Sequence, residues 1–110
     1  MTPKDTDLRK ELRRLSQVAH SRELGFALEA LEKDFRRWRS GELTAHDLSD
    51  AIHKFHDGMA RDLWSTYTNL KPEIAVARAI AVGVLREDEV LAEIRDELRP
   101  LIGHFAVHEE

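Results

Sequence analysis

Residues 44–69, TAHDLSDAIHKFHDGMARDLWSTYTN, gather most of the side chains in this chain whose type and spacing could do chemistry. Three of the six histidines fall here, with a His-Asp-Gly triplet, one Trp and the only Tyr. Read as one helix at about 100° per residue, the stretch places His46, Asp50, His53 and Asp57 within some 60° of one another, opposite Leu48, Phe55 and Met59. His56 falls at the edge of the apolar face. Imidazoles and carboxylates three or four residues apart on a helix can point at one ion, so His46, Asp50, His53, His56 and Asp57 are the candidate ligands of a divalent metal. One helix rarely completes such a site. Neither Glu-x-x-His nor His-Glu-x-x-His occurs, and the missing donors would come from His104, His108, a neighbouring Glu or a second subunit.

The His56-Asp57 pair resembles the metal-binding dyad of the HD phosphohydrolases, which would imply a metal-dependent phosphohydrolase. That family adds an upstream His and a downstream Asp on other helices of a considerably longer domain, and here the dyad stands alone. General acid-base work by His53 or His56, oriented by Asp50 or Asp57, is the other chemistry within reach. No nucleophile accompanies it: the chain has no Cys, no Gly-x-Ser-x-Gly elbow and no phosphate loop. No catalytic residue and no cofactor are therefore assigned. Within one monomer the stripe reads first as a solvated face knit by charge-compatible neighbours, with metal binding as the alternative.

After Gly58 the apolar arc of this helix widens to take in Ala60, Trp64 and Tyr67. A glycine inside a helix costs roughly 1 kcal/mol relative to alanine, and close approach by another helix is the usual compensation. The spacing predicts that a second helix or a partner chain crosses at Gly58 and covers Ala60, Trp64 and Tyr67.

The remaining elements must position this helix. Leu8, Leu12, Leu15 and Val18 or Ala19 form a narrow stripe that predicts a helix over residues 6–19, capped at Thr6 or Asp7. Residues 1–5 before it are expected to fray. Ser21 is a second cap, opening a helix whose seam is Leu24, Leu28, Leu31, Phe35 and Trp38. Trp38 stands among Arg36, Arg37 and Arg39 in a last turn closed by Gly41; it is the final rung of the seam and a candidate contact residue. Thr44 with Asp47 makes a capping box for the histidine helix, and Leu43 can staple onto Leu48. Pro72 starts a short helix, residues 72–82, whose near-continuous apolar character implies burial on most sides. Residues 87–99 predict an acidic-headed helix with Val90, Leu91, Ile94 and Leu98 inward, interrupted at Pro100.

The expectation is an all-α fold, a compact bundle of about five helices with short connections, in a single domain spanning 1–110. With 42% hydrophobic and 35% charged residues the composition is that of a globular helical protein. The absence of Cys fits a reducing cytoplasm, and no stretch approaches the roughly 20 apolar residues of a membrane span, so a soluble cytoplasmic protein is expected. Net charge is −4, unevenly spread: residues 1–40 hold ten Lys or Arg against seven Asp or Glu, residues 41–110 seven against fourteen. The acidic part would repel a phosphate backbone, so nucleic acid is not the expected partner and only the cations of the N-terminal helices could meet one. The helix-turn-helix outline of residues 72–90 is no exception, since its second helix would begin Arg86-Glu87-Asp88-Glu89. Two stripes and two Trp offer more apolar surface than one small core can bury, which predicts a protein-binding or regulatory module acting as a homodimer, with an unknown protein partner as the variant of that reading.

Overall fold

The computed structural model describes residues 5–108, without the side chains of Asp5, Val107 and His108; the expected fraying of the N-terminus falls chiefly on residues 1–4, outside it. The described residues are all-α, in four helices rather than five. α1 is Asp5–Arg39, a single run of 35 residues. α2 covers residues 45–69 without interruption, α-helical over Ala45–Lys54, π-helical over Phe55–Ala60 and α-helical again over Arg61–Asn69. α3 is Pro72–Ala81, and α4 is Ala92–His108 after a short 3₁₀ turn at Glu87–Glu89.

The helix break expected at Ser21 does not exist, and geometry explains why the sequence suggested one. At about 100° per residue, the stripe Leu8, Leu12, Leu15 and Ala19 points about 150° away from the stripe Leu24, Leu28, Leu31, Phe35 and Trp38. One straight helix therefore serves two partners on nearly opposite sides. Its first half packs on α3 and α4, its second half on α2. With no Pro between residues 19 and 39, nothing obliges the chain to stop.

The core gathers at one end of the molecule. Leu15 and Ala19 of α1, Val76, Ala77, Ala79 and Ile80 of α3, Leu85 and Val90 of the connection, and Ile94 and Leu98 of α4 form one buried cluster. Half of α3 is buried, as its apolar composition requires. Its alanines let α1 and α4 approach closely from either side. α3 ends at Gly83, whose φ of 82° admits the bond from Val84 N–H to Ala79 O at 2.8 Å.

The acidic head expected to open a helix at Glu87 is instead pinned as a separate turn. Glu89 accepts from the Arg86 backbone N–H at 2.7 Å and from both terminal nitrogens of Arg22 on α1, at 2.7 and 2.8 Å. Arg22 also donates to Val84 O at 3.0 Å, so one guanidinium ties the connection to α1. α4 begins only after this anchor. It then carries Pro100 inside it rather than ending there.

Opposite the core, the second half of α1 and α2 run side by side as a two-helix hairpin that no third helix among the described residues covers. Its turn follows the sequence: Thr44 Oγ1 accepts from Asp47 N–H and Asp47 Oδ2 from Thr44 N–H, both at 3.0 Å. The hairpin draws the molecule out to 58 × 27 × 24 Å, with a radius of gyration of 17.4 Å against the roughly 13 Å expected of a round domain this long. No helix among the described residues is long and apolar enough to cross a membrane.

Candidate functional site at the π-helical segment

The polar residues of α2 do not stay together. All five are exposed; His46, Asp50 and His53 lie along the hairpin, and His56 and Asp57 line a cavity between α2 and α1. Among the described residues no group of three or more His, Asp or Glu is placed to hold a metal ion. His104 lies exposed at the other end of the chain with its ring edge-on to Phe105, and the His108 side chain is outside the described residues.

The cavity has a volume of about 400 Å³. His20 and Leu24 of α1 form one wall; His56, Asp57, Ala60, Arg61 and Trp64 of α2 form the other. Three residues of the α2 wall, His56, Asp57 and Ala60, lie in the π segment, in which a turn closes from residue i to i+5, and Arg61 and Trp64 lie in the α-helical stretch that follows it. Asp57 and Arg61 stand four apart yet make no ion pair, and the Arg61 guanidinium has no hydrogen-bond partner among the described residues.

On the α1 wall, the His20 ring lies against Tyr67 with centroids 4.9 Å apart and planes within 7°. Tyr67 is fixed in turn, its hydroxyl donating to Glu23 Oε2 at 2.5 Å, while Arg78 of α3 donates to the same carboxylate at 3.2 Å. Burial, and then the hydrogen bond and charge of Glu23, push the Tyr67 phenol well above its ordinary range, so it remains a donor. α1, α2 and α3 thus hold His20 in one orientation.

The expected contact residues separate in the same way. Ala60 and Trp64 line the cavity, with Trp64 61% exposed. Tyr67 faces α1 and the core. Gly58 is not a helix crossing in this chain: a Cβ built there meets nothing within 4 Å, and the glycine sits instead within the π segment. Trp38 is 40% exposed at the end of α1. Two arginines beside it are engaged by carboxylates, Arg36 by Glu32 and Arg37 by Asp34 and Glu42. His20 and Arg61 were not singled out from the sequence. His20 stands four residues before Leu24 on the second seam of α1, and that spacing is the trace it leaves.

The other flank of the hairpin differs. Two adjoining depressions share Ala27, Ala30 and Met59; Leu31, Asp34, Ala51, Lys54 and Phe55 line one, and Glu23, Phe26, Leu63 and Val84 the other. This flank is mostly apolar, with Glu23, Asp34 and Lys54 among its lining residues.

No protein-family model, no curated protein and no solved structure matches the chain.

Proposed function

We propose that the protein is a small helical interaction module that acts as a homodimer, two copies joining through the flank of the α1–α2 hairpin formed by Phe26, Ala27, Ala30, Ala51 and Met59. The observation that supports this reading is the exposure of large apolar side chains on a hairpin lacking a third helix: Phe26 is 61% and Met59 55% exposed. A pair of hairpins packed face to face makes a four-helix bundle, the usual way such stripes are covered. The alanines favour close helix approach and the phenylalanine and methionine would interdigitate around them.

Charge favours a second copy over an unrelated partner. Asp34 and Lys54 line the same depression, one on each helix. In a two-fold interface residue i meets j while j meets i, so a cation and an anion on one patch pair twice. Sedimentation equilibrium at micromolar concentration tests the proposal. A species of twice the 12.7 kDa chain mass is expected, reduced to one by Ala30→Arg with the helical circular dichroism unchanged. A monomer at that concentration overturns it.

A further inference from the structure

The cavity on the opposite flank is a different kind of surface. It is small, mixed in polarity and supplied with a cation that the fold does not use. We infer that it is a binding site for a small aromatic monocarboxylate, whose carboxylate pairs with Arg61 and whose ring lies against Trp64 and Leu24.

Four observations carry this. The volume of about 400 Å³ lies in the range of small-molecule sites, roughly 300–1,000 Å³. The Arg61 guanidinium makes no hydrogen bond or ion pair among the described residues, although Asp57 is four residues away, and a guanidinium fork matches a carboxylate in two parallel bonds. Apolar surface stands beside it in Leu24, Ala60 and the exposed indole of Trp64, which favours a flat ring over an aliphatic acid. Finally, part of the wall is a π segment, a rare distortion that recurs at functional sites, and the facing His20 ring is stacked on Tyr67.

The charge balance narrows the ligand further. One guanidinium, Arg61, and one carboxylate, Asp57, line the same cavity, so a monoanion is favoured over the dianion of a phosphate ester. Asp57 can accept from a hydroxyl on the ring, and the His20 and His56 imidazoles can each donate one N–H to the bound acid or its substituent. The site is separate from the proposed pairing flank and stands whether or not the chain dimerises.

The test is a titration of the full chain with 4-hydroxybenzoate, followed by the indole N–H resonance of Trp64. Parallel arms use 4-hydroxybenzamide, which keeps the ring without charge, acetate, which keeps the charge without a ring, and phenyl phosphate, the dianion. A saturable shift with 4-hydroxybenzoate at or below about 1 mM is expected, with no saturation by the amide or acetate and weaker binding of the phosphate. Arg61→Gln should weaken 4-hydroxybenzoate at least about tenfold while leaving the melting temperature in place, because the side chain is exposed and unbonded. Absence of saturation, equal affinity for the amide, tighter binding of phenyl phosphate, or an unchanged affinity in Arg61→Gln would each overturn the assignment. Repeating the titration on Ala30→Arg separates the two proposals: the ligand should bind equally well to a monomer.

Discussion

At the scale of single residues, a few polar side chains tie one element to another beside the apolar core. Tyr67 is the clearest case, its ring supporting His20 and its hydroxyl satisfying Glu23. Tyr67→Phe keeps the ring and removes only the hydroxyl. Urea unfolding should show a loss of about 1–2 kcal/mol, the usual cost of deleting one bond to a charged, part-buried acceptor. Glu89 provides a pH-dependent counterpart. The Arg22 guanidinium, followed by the Arg86 backbone N–H, holds its carboxyl down at about 2. A carboxyl depressed in the folded state stabilises fully above its ordinary 4.5 and loses that contribution as pH falls towards 2. Unfolding free energies measured across this window should therefore fall more steeply for the natural chain than for Glu89→Gln. Parallel slopes would show that the Arg22 contact carries no weight. The sequence pointed to neither residue in these roles, because both contacts join positions more than 40 residues apart and neither leaves a local pattern.

At the scale of the element, the sequence was legible wherever a helix has a local cause. The capping box at Thr44, Pro72 at the head of α3 and Gly83 at its end all stand where spacing predicted. It misled where one helix changes partner. α1 has two stripes on opposite sides, and a reading that follows one stripe at a time breaks it in two. The π segment was the other illegible feature, since hydrophobic periodicity over six residues cannot distinguish a π turn from an α turn. Gly58 was its one trace, read instead as a crossing. Gly58→Ala is informative for this reason. The added Cβ has open space and φ is not positive, so the ordinary gain of about 0.4–1 kcal/mol for replacing a helical glycine is expected in urea unfolding. A destabilisation of similar size would mean that the π turn itself requires glycine. The candidate site inherits this mixture. His56, Asp57, Ala60 and Trp64 were recognisable as chemistry-bearing or contact residues, but their assembly with His20 and Arg61 depends on a turn type and on a neighbouring helix, neither of which the spacing encodes.

At the scale of the whole molecule, the distribution of the core governs behaviour. One end is closed by α1, α3 and α4 around Leu15 and Ile94; the other is two helices with apolar flanks open. Truncations at the two ends should therefore differ. Leu15→Ala, at a residue 1% exposed, leaves a cavity in a closed core and should cost about 2–5 kcal/mol. Leu28→Ala, at a residue 47% exposed on the hairpin, removes few contacts and should cost under about 1 kcal/mol. Amide hydrogen exchange should follow the same division. Helices without tertiary cover are marginal in water, so hairpin stability in a single chain depends on the contacts between α1 and α2, where Leu48 and Leu63 are buried. In monomeric Ala30→Arg, amides between residues 27 and 60 should exchange markedly faster than those of α3 and α4, whereas in the natural chain at dimer-forming concentration the difference should shrink. Pairing would then do for the hairpin what α3 does for the first half of α1, and stability of that end alone should rise with protein concentration. Uniform protection along α1 in the monomeric variant would show instead that the hairpin is stable without a partner, and would remove the energetic reason for the two copies to join.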